Sequence, residues 1–397
     1  MKQSSSFKTT TLVQFIMALL VLQILTVACK QKGNTERQDK AEWIKNNCKD
    51  TGREVWQITS DSVGSVACYF ERQAFTSDDR YLVFSSKREG KWRLFRADMA
   101  DGIIVPLTPL EREINDDDYT IHPDGKQACY MDGNILYGIN ISSFEEKVLF
   151  NFSDSLREKV FFSGSFTADG NFTLVSLRDS PIMRIYRINL KTGEVLLAHE
   201  QDTGRFSHPL INPSDPDIIT YVPGPDTQND MSLPMERRAR TWKINLRDGT
   251  QEPFLTCPYG FRATHESWSA DGSRFFFYRK TVPGWMPVTI CSISKQGDDL
   301  REYHSSDTIR LGHGISSQDG KWFISDSQDP GRNPLTLLNL ESGENTILNW
   351  PDASTQDGQF THVHPFFSTS GKFVSYTSDV SGVPQVYVVP VGDLTSP

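Results

Sequence analysis

The chain of 397 residues has few of the residues that build metal clusters or disulfide scaffolds, with six cysteines and eight histidines. No two cysteines form a Cys-x-x-Cys pair, so neither a structural zinc nor a disulfide framework is supported. Basic side chains are outnumbered, 41 against 50 acidic ones, and the net charge of −9 argues against general nucleic-acid binding. Glycine (27) and proline (21) stand at ordinary globular levels, which excludes a collagen-like or low-complexity chain.

The cysteines leave two interpretations open. One or two bridges could form, with Cys48 and Cys68 the nearest pair in sequence after Cys29 is set aside. Buried free thiols are the favoured interpretation, because unpaired cysteine behaves as a small apolar side chain.

The N-terminus has the pattern of a targeting segment. Lys2 and Lys8 precede an uncharged, mostly apolar run from Leu12 to Ala28, which is short for a membrane span of ~20 residues. Small residues then precede Cys29, as in a bacterial lipobox. This predicts a lipoprotein-type signal peptide (1–28), a lipid anchor on Cys29 and a polar tether (29–53). The protein is expected to be exported, as a periplasmic or outer-membrane lipoprotein of a Gram-negative-type bacterium; a soluble secreted protein and an uncleaved anchor are the alternatives.

A repeat organises residues 54–391. A short turn, often Asp-Gly, recurs roughly every 45–50 residues and is followed by apolar or alternating strands. The residues at the Asp position of the seven turns are Asp78, Asp124, Asp169, Asp215, Asp271, Asp319 and Ser370. The repeat predicts one all-β domain, a seven-bladed β-propeller with four antiparallel strands per blade. Val55–Thr59 is expected to complete the last blade, residues 392–397 to form a tail, and Gly224–Glu236 to be an inserted loop.

The histidines are not spread evenly over this repeat. Four of them lie six or seven residues before the turn: His208, His265, His313 and His364. That strand is the innermost one in a propeller, so we expect the four side chains to converge at the mouth of the central channel. Packing alone is the weaker alternative, because it gives no reason for one shared position. The remaining histidines outside the last blade are expected to be structural or solvated: His122, His199 and His304.

The last blade adds a pattern typical of a metal site. In Gln359-Phe360-Thr361-His362-Val363-His364, an extended backbone would place both histidines on one face, with an amide oxygen from Gln359 where the strand begins. His313 from the neighbouring blade makes three imidazoles. Such a set suits manganese, iron, nickel, copper or zinc, and the amide oxygen favours the harder, manganese-type ion.

Several stretches resemble the oligogalacturonate lyases, a family of seven-bladed polysaccharide lyases, over roughly residues 54–391. They are His208-Pro209 with its Asn-Pro-Ser-Asp-Pro turn, Arg240-Thr241-Trp242, His265-Glu266-Ser267-Trp268, His313 with Asp319-Gly320, and Gln359-x-x-His362-x-His364. The resemblance implies that His313, Gln359, His362 and His364 bind a divalent ion, most simply Mn²⁺. It also implies that His265 is the Brønsted base and that Arg240 grips or neutralises the substrate. His208 and Arg262 are the further candidates for substrate binding.

The predicted reaction is β-elimination on a short oligogalacturonide or related oligouronide. A neutral histidine removes the C5 proton while a metal and an arginine offset the charge on the carboxylate. The sequence has no G-x-S-x-G elbow, P-loop or G-x-G-x-x-G that would indicate another chemistry. A non-catalytic periplasmic propeller, acting as a sugar-binding or Tol-type envelope scaffold, and an inactivated lyase that only binds sugar are the alternatives.

The expected partner is an acidic oligosaccharide. No nucleic acid is expected, and a membrane is expected only through the anchor on Cys29. Val222 stands where the family pattern leads us to expect a polar residue, and the loop Asp226–Arg238 is long. The identity of the uronide therefore stays open, as does the oligomeric state.

Overall fold

The computed structural model describes residues 40–114, 118–153, 158–178, 181–202, 204–329, 331, 333–356 and 358–395. The predicted signal peptide, Cys29 and the first part of the predicted tether lie outside the described residues. Within these ranges no helix combines the length and the apolar composition needed to cross a membrane. None of the five cysteines among them forms a disulfide, and all but Cys48 are buried, as the favoured interpretation predicts.

The described residues form thirty strands. The first fifteen are β1 (Lys40–Ala41), β2 (Ile44–Asn47), β3 (Glu54–Gln57), β4 (Ser65–Val66), β5 (Tyr81–Ser86), β6 (Arg93–Asp98), β7 (Ile103–Pro106), β8 (Tyr119–Ile121), β9 (Gln127–Asp132), β10 (Ile135–Asn140), β11 (Glu146–Asn151), β12 (Phe161–Phe166), β13 (Phe172–Leu177), β14 (Met183–Asn189) and β15 (Val195–Gln201). The others are β16 (Phe206–Asn212), β17 (Asp215–Pro223), β18 (Thr241–Asn245), β19 (Thr250–Leu255), β20 (Phe261–Trp268), β21 (Arg274–Thr281), β22 (Val288–Ser294), β23 (Arg301–Ser306), β24 (Leu311–Ser316), β25 (Trp322–Ser327), β26 (Leu335–Asn339), β27 (Asn345–Asn349), β28 (Phe366–Phe367), β29 (Phe373–Ser378) and β30 (Gln385–Pro390). Short helical turns cover Met235–Arg238, Gly358–Thr361 and Gly392–Thr395.

These strands make seven antiparallel sheets, and the predicted seven-bladed β-propeller is confirmed. Five blades are consecutive four-stranded meanders: β8–β11, β12–β15, β16–β19, β20–β23 and β24–β27. The first blade has the order β1-β7-β6-β5-β4 and the last β2-β3-β30-β29-β28. The last blade therefore combines strands from both ends of the chain, and Trp56 pairs with Val388 where they meet. This pairing closes the ring, so the strand expected over Val55–Thr59 has the predicted role.

The ring extends further toward the N-terminus than predicted. Residues 40–47 were expected to belong to a tether, but β1 and β2 add an outer strand to the first and last blades. The reason is local packing: Trp43 meets Trp56 edge-on with ring centroids 4.9 Å apart. The ammonium of Lys45 lies over both rings, 4.3 and 4.1 Å from their centroids, and such cation–π contacts hold β2 against β3.

The core lies between neighbouring blades. A second strand such as β5 is buried at five of its six positions, because each of its faces is covered by a blade. An outer strand such as β11 is mostly exposed or half-buried. Side chains that carry chemistry can therefore be presented to a ligand mainly at the inner strands and at the loops above them.

Each Asp-Gly turn joins the first strand of a blade to the second, as between β20 and β21, and the turn at Gly272 also contacts the preceding blade. Gly272 (φ 68°) accepts a hydrogen bond at its carbonyl from Asn212 Nδ2 of the preceding blade (2.8 Å). A Cβ on Gly272 would lie 2.6 Å from Ser214 Oγ, whereas one on Gly320 (φ 69°) would meet nothing within 4 Å.

This contrast gives a stability prediction with an internal control. We expect Gly320→Ala to cost ~1 kcal/mol through its left-handed backbone alone, and Gly272→Ala to cost ~2–3 kcal/mol because the clash is added. Chemical unfolding of both variants measures the difference. Equal losses would show that the contact between blades contributes nothing.

Candidate active site

The inner strands of the later blades are bulged where the histidines stand. The ladder register shifts between Ser207 and Leu210 in β16, and between Thr264 and Ser267 in β20. A further shift separates Leu311 from Gly314 in β24. A bulge turns a side chain away from the direction that strict alternation would give, and bulges are frequent beside active sites.

Three of these histidines have a left-handed backbone, which a side chain with a Cβ rarely adopts. The φ angles are 48° at His208, 54° at His265 and 45° at His364. Such backbone strain is concentrated at functional sites, where the surrounding structure compensates for its cost. Because the same strain recurs at equivalent positions of three blades, it indicates a common functional role for these histidines rather than a requirement of local packing.

Four of the histidines come together in one cluster. The ring centroids of His265 and His313 are 4.2 Å apart, and those of His313 and His364 are 4.3 Å apart. His362 lies 5.4 Å from both His313 and His364. His208 stands to one side, with its ring stacked at 6.0 Å on Tyr69 and its Nδ1 3.5 Å from Glu71 Oε1.

The nitrogen atoms of three histidines are arranged as a metal site requires. One ligand atom from each of His313, His362 and His364 lies within 4.8 Å of the others. His362 Nδ1 and His364 Nε2 are buried and have no hydrogen-bond partner among the described residues. His313 Nδ1 donates to Asp326 Oδ2 at 3.0 Å, which leaves the lone pair of Nε2 for a ligand. Unpartnered buried nitrogens facing one another are costly without a bound group, so the donor set fits a divalent ion.

Asp326 holds this arrangement together. Its Oδ1 accepts a hydrogen bond from the backbone N–H of His313 at 2.6 Å, and its Oδ2 also accepts from that of His364 at 3.3 Å. The carboxylate is 2 % exposed. One buried acid thus fixes the tautomer of one imidazole and the backbone position of a second, across two blades.

The segment that contains His362 is not the extended strand that we predicted. Gly358–Thr361 forms a 3-10 turn in which the His362 N–H bonds the Gln359 carbonyl at 3.3 Å, and β28 begins only at Phe366. The two imidazoles meet because of this turn and the left-handed φ of His364, rather than by strand alternation. The side chain of Gln359 is exposed, and its part in metal binding stays a prediction.

His265 has the environment of a neutral base. Its Nδ1 is buried and has no hydrogen-bond partner among the described residues, while the residue as a whole remains half-buried. Shielding from water lowers the pKa of His265 well below its ordinary value, and the electrostatic effects of the neighbouring His313, Lys280 and Arg240 lower it further. The pKa values of His362 and His364 are also lowered, first by burial. These imidazoles are therefore unprotonated at neutral pH.

Glu266, the residue after His265, holds the guanidinium of Arg240. Its Nε and Nη2 donate to the two oxygens of Glu266 at 2.7 and 3.2 Å, and Glu266 is 2 % exposed. The inserted loop between β17 and β18 supports this position, because Gln228 Oε1 accepts from the Ala263 N–H at 2.7 Å. Because Nε and Nη2 are used by Glu266, Nη1 of Arg240 is left to donate to a ligand.

Arg262, the other predicted substrate-binding arginine, is half-buried. It forms an ion pair with Asp226 of the inserted loop, and its guanidinium carbon lies 4.6 Å from the Trp285 ring centroid. Because Asp226 already offsets its charge, Arg262 is a weaker candidate than Arg240 for gripping an acidic sugar. The three histidines expected to be structural or solvated lie elsewhere and are hydrogen-bonded. His122 bonds Gly170, His199 bonds Gln201 and Gln251, and His304 bonds Asn345.

Two aromatic residues that sequence reasoning missed form one side of the site. Tyr69 lies 4.6 Å from the His364 ring, and the fully buried Phe70 lies 5.4 Å from His313, centroid to centroid. Both follow the short strand β4, outside the part of the repeat that aligns between blades. No signal in one sequence connects them with histidines about 200 to 300 residues away.

Lys280 was missed as well, and it is a buried cation at this site. It is 3 % exposed, and its Nζ donates to Gln328 Oε1 at 2.8 Å. Burial lowers the pKa of Lys280 to about 8, with Arg310 and Arg262 acting in the same direction and Asp326 in the opposite one.

The lowered pKa predicts how stability depends on pH. Unfolding returns Lys280 to an ordinary pKa near 10.5, so below about pH 8 the folded state bears the full cost of burying the charge. Between about pH 8 and 10.5 that cost disappears, and this residue should raise the free energy of unfolding by ~3 kcal/mol. Denaturant titrations of wild type and Lys280→Met across this range isolate the effect, with the exposed Lys147→Met as control. A parallel pH dependence in wild type and Lys280→Met would contradict it.

Comparison with known proteins agrees with this architecture. A family model described as oligogalacturonate lyase matches residues 171–395. The oligogalacturonate lyase of Dickeya dadantii is 26 % identical over 388 residues, covering 86 % of this chain and 94 % of that protein. The oligogalacturonide lyase of Pectobacterium atrosepticum is 25 % identical with the same coverage. A solved oligogalacturonate lyase in complex with manganese superposes with a TM-score of 0.76 at 24 % identity, over 88 % of this chain and 96 % of that one.

The family match spans more than half of the chain and includes every histidine of the cluster. It begins before β13 and ends after β30, so it covers the bulged strands, the inserted loop and the 3-10 turn that present the site residues. The chain belongs to the oligogalacturonate lyase family of polysaccharide lyases.

Proposed function

We propose that this protein cleaves short oligogalacturonides by β-elimination with the help of a divalent metal ion. The observation that carries the proposal is that a set of histidines suited to bind a metal lies next to a further histidine suited to act as a base. Three histidines converge with their ligand atoms within 4.8 Å, and a fourth, His265, lies 4.2 Å from the nearest of them with a lowered pKa. The curated relatives are named for this activity on oligogalacturonate.

His313, His362 and His364 would hold the ion, with Gln359 the predicted fourth ligand. Manganese is our choice, because the donor set fits it and a solved relative is a manganese complex. When bound, the ion supplies a Lewis acid that stabilises negative charge on the carboxylate of the uronate. Asp326 serves by keeping the His313 lone pair turned toward the ion.

His265 acts as the base in this proposal. It is neutral at working pH, so it can accept the C5 proton, and the electron pair of the C5–H bond forms the C4–C5 double bond as the C4–O bond breaks. Arg240 offers Nη1 to the carboxylate, where charge builds while the proton leaves. Phe70 and Tyr69 shield one side of the histidines from water, which strengthens these interactions.

The direct experiment supplies purified protein with digalacturonate or unsaturated digalacturonate, with and without Mn²⁺. Products are followed by chromatography rather than by ultraviolet absorbance alone, because a rearranged keto product absorbs weakly. Metal-dependent turnover is expected. Absence of turnover and of retained metal would refute the proposal, whereas retained metal without turnover would favour the alternative of a sugar-binding or scaffold propeller.

We also propose that the chain is exported and anchored by lipid on Cys29, on the periplasmic side of a Gram-negative-type envelope. The support is the sequence pattern before Cys29. Membrane fractionation tests it: the wild-type protein should sediment with the envelope, and Cys29→Ala should change its fraction or its processing. An unchanged distribution would contradict the anchor.

A further inference from the structure

A cavity opens directly beside two of the proposed metal-binding histidines, His313 and His362. Its volume is about 220 Å³, near that of one sugar ring, and its walls include Arg310, His313, Asp326, Gln328, Thr355 and His362. The two histidines in this wall belong to the metal cluster. A ligand that reaches the ion therefore has room for a neighbouring group here.

The cavity wall contains an arginine that no carboxylate of the described residues pairs with. Arg310 is exposed in its wall, and no carboxylate of the described residues pairs with its guanidinium within 4.0 Å. Among the described residues Arg310 is hydrogen-bonded through its backbone, whose N–H donates to Asp329 Oδ2 at 3.1 Å and whose carbonyl accepts from the Gln328 N–H at 2.8 Å. The same wall contains Asp326, but both oxygens of this acid accept hydrogen bonds from the two histidine segments.

A second positive charge, on Lys280, is hydrogen-bonded to Gln328, which lines the cavity. Lys280 is buried, and across the described part of the chain no carboxylate lies within 4.0 Å of its Nζ, whose partner is the neutral Gln328. Burying an ammonium ion without a carboxylate in direct contact is costly, and the lowered pKa of Lys280 reflects this cost, which the more distant Asp326 offsets only in part. Because Gln328 Oε1 is occupied by Lys280, the amide N–H groups of Gln328 are left to donate to a ligand.

We propose that this cavity is a carboxylate subsite for the uronate next to the one that is cleaved. Arg310 and the Gln328 amide would bind the carboxylate, and Lys280 is a positioning residue that fixes the orientation of Gln328 and adds positive potential. The inference rests on the proposed function, and it narrows the substrate to oligouronides with a free carboxyl group on two adjacent sugars. A methyl ester at this place would leave the cationic wall without its counter-charge.

Kinetics on digalacturonate separate this role from a structural one. Arg310→Gln should raise KM about 10–100-fold, while kcat stays within about threefold and bound manganese is unchanged. Arg310→Lys should recover part of the loss, and Lys280→Met should act in the same direction as Arg310→Gln. Lys147→Met, on the exposed outer strand β11, is the control. An unchanged KM in Arg310→Gln, or a fall in kcat alone, would overturn the subsite.

A binding measurement keeps the subsite testable if no uronide is turned over. Titration calorimetry compares digalacturonate with its fully methyl-esterified form, on metal-free and manganese-loaded protein. Wild type should prefer the free acid in both states, and Arg310→Gln should lose about tenfold or more of this preference without losing metal. An equal preference in the two proteins would contradict the subsite, independently of whether the lyase reaction occurs.

Discussion

Replacing His265 by alanine should reduce turnover of oligogalacturonides by about 10²–10⁴-fold, the range that a positioned general base contributes. The side chain is the only imidazole of the described cluster that lies outside the three-histidine metal set yet touches it, at 4.2 Å from His313. Its lowered pKa keeps it ready to accept a proton. The loss should therefore appear in kcat as well as in kcat/KM, since the proton moves only in the reaction.

Two controls make this result specific. Metal content of His265→Ala should equal that of wild type, because His313, His362 and His364 are left in place. His304→Ala removes an imidazole that bonds Asn345 on an outer strand, and it should leave turnover unchanged. Activity within about tenfold of wild type in His265→Ala would show that another group removes the proton.

Removing His313 should have the second large effect, on metal and activity together. Its ring lies 4.3 and 5.4 Å from His364 and His362, so His313→Ala removes the proposed ligand that the neighbouring blade contributes. We expect manganese to be lost during gel filtration and turnover to fall by about 10²-fold or more, since a Lewis acid contributes several kcal/mol. Elemental analysis of the purified variant and the activity assay give both readouts.

Asp326→Asn provides a graded version of the same test. The amide keeps the shape of the side chain but weakens the hold on His313 Nδ1 and on the His364 N–H. A supporting carboxylate of this kind is typically worth about 10–100-fold in metal affinity. Excess manganese should restore much of the activity of Asp326→Asn but little of that of His313→Ala. Full activity of His313→Ala without metal would contradict the assignment.

The sequence was sufficient for the architecture because each blade repeats one local signal. The Asp-Gly turns mark the passage from the first to the second strand, and the phase of the repeat places His265 and His313 on inner strands and His364 just before one. Residues 40–47 could not be placed in this way. Their pairing depends on contacts such as that of Trp43 with Trp56, and these residues do not recur at a fixed position of the repeat that would predict the contact.

The site was predictable only where it follows the repeat. Asp326 and Lys280 act through partners on neighbouring blades, and Tyr69 enters from an irregular stretch at the other end of the chain. The backbone at His362 and His364 also departs from the strand geometry expected, because a 3-10 turn and a left-handed residue replace alternation. Long-range pairing and bulges of this kind are decided by tertiary packing.

Mass analysis of the products from digalacturonate, incubated with the manganese-loaded protein, tests the central claim most directly. Elimination adds no water, so the summed mass of the two products should equal that of the substrate, with one product an unsaturated or rearranged keto uronate. His265→Ala should form neither product at a comparable rate. Two galacturonate molecules, whose summed mass exceeds the substrate by one water, would show hydrolysis and would contradict the account.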